Sequence, residues 1–274
     1  MIRARTGWGG IAALAALLIG AGFPLYWTIV ASITPEERLF GTPSLLPSKP
    51  VLDHYRSLLL ERDFLLPIGN SLLVAGVTTV LCVGIGTLAA YALTRLRFRW
   101  GPPILGLILA ISMFPQISIV PPLYLLLRAL GLIDTYPGLI LPYLTFSLPL
   151  AIWLLAGFLR QLPWDLEEAA FIDGASRLRA FRELILPLAW PGIATTAILT
   201  FVYCWNEFLF ALSFTLGPEH QTVPVAIALF RGRYQVPWGQ ILAGSVVASV
   251  PVVALVLAFQ RRIVTGLTAG AVKG

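Results

Sequence analysis

Charge is what this sequence has least of. Asp, Glu, Lys and Arg make up only 12% of its 274 residues, while 58% are hydrophobic. A soluble domain this apolar could not cover its own surface, so a soluble fold is excluded. Lysine is nearly missing: Lys49 and Lys273 stand beside 17 arginines. No G-x-x-x-x-G-K-[ST] run occurs, so no loop of this chain cradles the phosphates of ATP, and energy for work must come from a partner or a gradient. The two cysteines, Cys82 and Cys204, fall in apolar stretches without metal or disulfide spacing and read as small hydrophobes. His54 and His220 stand apart on hydrophilic segments, so the expected metal set is none. Clustered His, Asp or Ser within apolar stretches is also missing, which argues against a membrane-embedded enzyme. No internal repeat is visible, which weakens the reading of an ion-coupled secondary transporter built from two related halves and suggests half of a larger assembly.

What is present is a series of apolar segments of about 20 residues, the length that crosses a ~30 Å hydrocarbon layer. They lie near residues 10–31, 67–93, 102–127, 138–158, 191–216 and 238–259. The expected fold class is therefore all-α: a polytopic membrane protein of six transmembrane helices forming one domain over residues 1–274. The first apolar run is longer than the ~7–15 residues of a signal-peptide core and is expected to remain as the first helix. Six spans put both termini on one side. Segments 1–9, 94–101, 159–190 and 260–274 carry 12 Lys and Arg, against 7 in the opposite set, at nearly equal total length. By the positive-inside rule these four segments, and both termini, are cytoplasmic. Arg95, Arg97 and Arg99 in "TRLRFRWG" read as anchors of a tight turn. The outer segment 32–66 is punctuated by prolines and becomes amphipathic around Tyr55 to Leu60.

One stretch departs from the scarcity of charge: "DLEEAAFIDGASRLRAFRELILPLAWPG", Asp165 to Gly192. Asp165 is placed to cap a short helix, with Glu168 three residues on, and Glu167 and Glu168 suit the positive end of its dipole. Leu166, Ala169 and Ala170 recur at helical spacing, giving a narrow, small-sided face. Gly174, after Asp173, suits a left-handed C-terminal cap. Ser176 is placed to cap a second, amphipathic helix lying along the membrane surface, which Pro187 and Pro191 are expected to end. On physics alone the stretch is either an interfacial connector or a docking piece for another protein.

Elsewhere, Asn206 and Glu207 fall within the fifth apolar segment, where a carboxylate must face the bundle interior or a wet cavity. They either line a pathway or tie helices together. Pro115, Pro121 and Pro122 are expected to break the third span, and Pro142 and Pro149 the fourth. Gly86 and Ala90 have the spacing of a close helix contact.

The run Glu168-Ala169-Ala170, Asp173-Gly174-Ala175, Phe181 and Ile185 to Pro187 resembles the EAA loop of permease subunits in bacterial ABC importers. "NSLLVAG" from Asn70, "MFPQISIVPPLY" from Met113, "WNEFLFAL" from Trp205 and "GLTAGAVKG" from Gly266 resemble the smaller six-helix permease of the maltose-type carbohydrate branch. This resemblance implies the type I ABC importer permease fold, with a cytoplasmic coupling helix between helices 4 and 5 in an EAA loop at 159–190. It implies a non-catalytic transport subunit of the bacterial inner membrane for a disaccharide or oligosaccharide such as trehalose or maltose. Implied partners are a second homologous permease, two ATP-binding subunits that hold ATP and Mg, and an extracytoplasmic solute-binding protein. The residues implied in ATPase coupling are Glu167, Glu168, Ala169, Ala170, Asp173 and Gly174, with Gly270 and Lys273 as a second ATPase contact in the tail. An ion-coupled secondary transporter, or an ABC permease for a non-sugar solute such as glycerol phosphate, is the alternative.

Overall fold

The computed structural model describes residues 8–42, 44–47, 49–96, 98–230 and 236–269. Helices account for nearly all of it: α1 (Trp8–Ser32), α2 (Asp53–Leu60), α3 (Leu65–Arg95), α4 (Gly101–Ser112), α5 (Gln116–Ala129), α6 (Tyr136–Gln161), α7 (Asp165–Ile172), α8 (Arg177–Ala180), α9 (Leu186–Trp205), α10 (Leu209–Phe214), α11 (Val223–Ala228) and α12 (Trp238–Ala269). Five helical stretches are long and apolar enough to cross a membrane, and α4 with α5 makes a sixth if that bent pair counts as one span. The all-α polytopic expectation agrees with this. Gly270 and Lys273, the tail residues singled out above, lie outside the described residues.

The chain divides into two compact units, one of Met1–Leu65 with Ala226–Val250, the other of Leu66–Val225 with Pro251–Gly274. In the first, α2 confirms the amphipathic stretch of the outer segment, and side chains tie short elements together. The Glu36 carboxylate accepts from the backbone N–H groups of Trp238 and Gly239, each at 2.9 Å, and so caps the start of α12. His54 Nε2 meets the Thr34 carbonyl at 2.9 Å.

The second unit has two cores. In one, Tyr91 of α3, Ile152, Leu155 and Leu159 of α6, and Ile193 of α9 pack around Phe181 and Ile185. In the other, Val74 of α3, Leu127 of α5 and Tyr143 of α6 pack around Phe210 and Phe214 of α10. The small-residue spacing on α3 does mark a close contact: a methyl group built on Gly86 would lie 3.2 Å from Leu155 and 3.6 Å from Ala151 of α6, and Ala90 is fully buried.

Three expectations about helix breaks change. The third span is interrupted once, by an 88° bend between α4 and α5. Pro115 sits there as the extended N-cap of α5, and its ring disfavours helix at Phe114; Pro121 and Pro122 lie inside α5 without ending it. Pro142 and Pro149 likewise leave α6 continuous over 26 residues, since packing and apolar surroundings keep the remaining backbone bonds closed. Finally, Pro187 and Pro191 do not end the helix that begins after Ser176: residues Arg177–Trp205 form one span of 29 residues. The π-helical turn at Phe181–Ile185 explains this. There the Leu186 N–H reaches back to the Phe181 carbonyl, so the widened turn meets Pro187, which has no N–H to donate, without a break. The helix of the sixth span continues beyond the apolar segment through Ala269.

Candidate functional site

The acidic stretch folds as a short helix held at both ends. Trp164, not Asp165, occupies the N-cap position, and its carbonyl accepts from the N–H groups of Glu167 (3.0 Å) and Glu168 (3.2 Å). Asp165 is instead the first helical residue, because the turn set by Pro163 brings the chain into helical dihedrals one residue early. Asp165, Glu167 and Glu168 still occupy the first turn, where their charge suits the dipole. The far end is a complete Schellman motif: Ala175 N–H bonds the Ala170 carbonyl at 2.9 Å and Gly174 N–H bonds that of Phe171 at 3.1 Å, with Gly174 at φ +83°. Ser176 caps the next helix as expected, its hydroxyl accepting from Arg179 N–H at 3.3 Å.

The faces of α7 differ from the sequence expectation in one respect. Leu166, Ala169 and Asp173 are exposed and Ala170 is half-buried, but Ile172, 85% exposed, extends the apolar outer face. Glu167 turns the other way and is only 1% exposed. Burial pushes its carboxyl above the usual range, while the Arg95 charge acts in the opposite direction. Glu168 remains exposed.

Arg95 is the residue that sequence reasoning missed. It is 4% exposed, not a solvent-facing anchor. Its Nη2 donates to the carbonyls of Leu159 and Leu162 at the end of α6, and its guanidinium stacks 4.7 Å over the Trp164 ring. Next to it, Tyr91 packs on Phe181 with ring centroids 4.7 Å apart. Nothing in "TRLRFRWG" separates Arg95 from its neighbours; only Trp164, an aromatic at the start of an acidic helix, hinted at a cation nearby.

The second candidate pair lies where the fifth span breaks. α9 ends at Trp205, and α10 restarts at Leu209. Glu207, 7% exposed, accepts from the N–H groups of Phe210 at 2.9 Å and Ala211 at 3.2 Å, capping α10 with a charge. The buried Tyr143 hydroxyl lies beside the same carboxylate, outside hydrogen-bond geometry. Asn206 is exposed, its Nδ2 donating to the Val202 carbonyl at 2.7 Å. Both residues line a shallow cavity of about 440 Å³ with Gln116, Tyr203, Phe208 and Leu209, and Gln116 donates to the Tyr203 hydroxyl across it. Glu207 thus serves the backbone, while Asn206, Gln116 and Tyr203 supply the cavity's polar groups.

Comparison with known proteins agrees with this geometry. A profile of the family described as "Binding-protein-dependent transport system inner membrane component" matches residues 82–268. The chain is 47% identical to the trehalose transport system permease protein SugB of Mycobacterium tuberculosis, over 96% of this chain and 97% of that protein. It is 44% identical to the trehalose/maltose transport system permease protein MalG of Thermococcus litoralis, over 92% and 91%. It is 42% identical to the sulfoquinovosyl glycerol transport system permease protein SmoH of Agrobacterium fabrum, over 94% and 91%. Among solved structures, a chain of a bacterial ABC transporter that imports alginate superposes with a TM-score of 0.78 at 23% identity, covering 95% of this chain and 98% of that one, a likeness of fold.

Proposed function

Because this chain belongs to the family of binding-protein-dependent transport system inner membrane components, we propose that it is the permease subunit of an ATP-driven importer for a disaccharide of the trehalose or maltose type. As such a component it is a multi-pass, non-catalytic protein of the inner membrane that works with a solute-binding protein. The finer parts of the reading are the sugar, the second homologous permease, the two ATP- and Mg-holding subunits, and the cytoplasmic placement of both termini. Two of the relatives described above are named for trehalose or for trehalose and maltose, and this similarity supports the sugar. The third, at nearly the same identity, is named for a sulfoquinovosyl glycerol, so solute choice rests with few residues of this chain and with the binding protein.

The observation that carries the coupling role is α7: a capped helix of eight residues whose outer face of Leu166, Ala169 and Ile172 is left uncovered by the described residues. So short a helix is marginal alone and is stabilised by packing. In this reading Glu167, Glu168, Ala169, Ala170, Asp173 and Gly174 transmit ATP-driven closure of the partner subunits to the spans. Asn206 belongs to the solute pathway and Glu207 holds it in place, while Gly270 and Lys273 make a second ATPase contact. Sugar uptake into vesicles carrying the full complex tests the function. Uptake that requires ATP and the binding protein supports it. Uptake that persists without ATP and follows a proton gradient would instead support the secondary transporter.

A further inference from the structure

Two ionisable side chains almost out of reach of solvent line one small cavity in the larger unit. Arg95, at the last turn of α3, is 4% exposed, and Glu167, in the first turn of α7, is 1% exposed. A charge buried without compensation costs several kcal/mol, so the position of each demands explanation. Arg95 uses only Nη2, which holds the carbonyls of Leu159 and Leu162 at the end of α6. Among the described residues, its Nε and Nη1 are buried donors with no acceptor, and Glu167 Oε1 is a buried acceptor with no donor. Both side chains line a cavity of about 240 Å³ together with Tyr91, Trp164, Glu168, Phe171 and Arg177. Two unused donors and one unused acceptor therefore share a space roomy enough for bridging water.

A purely local role fits neither residue. If Glu167 served only the helix dipole, the exposed side of the first turn would suffice without the cost of burial. If Arg95 only anchored the turn between α3 and α4, its charge would lie in water. Instead the guanidinium touches three elements: it belongs to α3, it holds the last carbonyls of α6, and it stacks on Trp164, the residue that opens α7. Glu167 supplies the matching charge from α7 itself.

We propose that Arg95 and Glu167 form a charge-paired joint that fastens α7 to the ends of α3 and α6, so that displacement of α7 is handed to both spans together. The joint rests on the reading of α7 as the element that meets the ATPase, and both side chains act as positioning residues. A cation at this position can hold the α6 carbonyls and face the Glu167 carboxylate across the shared cavity, directly or through bridging water.

The test uses the whole transporter in liposomes, with the disaccharide that the wild type accumulates, and counts sugar molecules moved per ATP hydrolysed for each assembled complex. Arg95→Gln and Glu167→Gln should each lower that ratio by about fivefold or more, and the double variant should fall no further than the worse single, as expected of two ends of one interaction. Arg95→Lys, which keeps the charge and can still donate to the α6 carbonyls, should keep most of the ratio. The joint is refuted if either neutral variant leaves the ratio unchanged, if the losses multiply in the double variant, or if Arg95→Lys falls as far as Arg95→Gln. A wild-type complex that moves no sugar at the expense of ATP would refute the transport function itself, whereas a coupled wild type with unaffected variants refutes only the joint.

Discussion

Gly174 separates the cost of a turn from the cost of a blocked interface. It sits at φ +83°, and a methyl group built on it meets no atom of the described residues within 4 Å, so none of them resists a side chain there. The backbone does resist: an L-residue in the left-handed region costs about 1–2 kcal/mol, which shifts the balance against the corner by about five- to thirtyfold. Within the isolated chain, Gly174→Ala and Gly174→Leu incur that same cost, because neither is β-branched and both side chains point into open space. Gly174→Asn, which tolerates this conformation, incurs less. The proposed docking of α7 against an ATPase subunit would break the equality. Leucine then meets the partner, and its loss of uptake should exceed that of alanine by a further tenfold or so, an overpacking penalty of about 1–3 kcal/mol. The assay is sugar uptake per assembled complex, with sugar-stimulated ATP hydrolysis measured on the same vesicles. Equal losses for Ala and Leu would refute the docking argument and leave only a strained corner.

Other outcomes follow from single contacts. Glu207→Ala strands the buried N–H groups of Phe210 and Ala211 and should destabilise the protein by about 1–3 kcal/mol, whereas Glu207→Gln keeps an acceptor and should lose less; thermal unfolding in detergent ranks the two, and equal losses would contradict the capping role. A methyl group at Gly192 would lie 2.4 Å from a ring carbon of Phe158, so Gly192→Ala should force α6 and α9 apart and cost about 1–3 kcal/mol. The same unfolding measurement, if unchanged, would contradict that close approach.

Much of this was legible in the sequence because bilayer thickness imposes a length that composition alone reveals. The spans, the glycine corner at Gly174 and the cap at Ser176 follow from local rules of hydropathy and helix ends. What was hidden depends on contacts distant in sequence. Proline's effect on a helix is set by its surroundings, so Pro142 and Pro149 pass through α6 unnoticed while Pro115 marks a right-angle bend. The π turn ahead of Pro187 lets a span continue where local rules end it. Burial is not local information, so the sequence marks Arg95 only as an anchor of a turn and Glu167 only as a charge in the first turn of a helix; they lie 72 positions apart and meet only once α3, α6 and α7 are assembled. Glu207 was recognised as a carboxylate in need of company, but its partners proved to be backbone groups three and four residues ahead, which a break in the span exposes.

The central claim is that the outer face of α7 is where another subunit docks. Ile172→Cys, carrying a photoactivatable thiol label, places a probe on that face, and the native thiols Cys82 and Cys204 are buried away from the reagent. Irradiation of the intact transporter should join this chain to an ATP-hydrolysing subunit, and the yield should change when ATP binds. Labelling of lipid alone, with the ATPase present and active, would contradict the account.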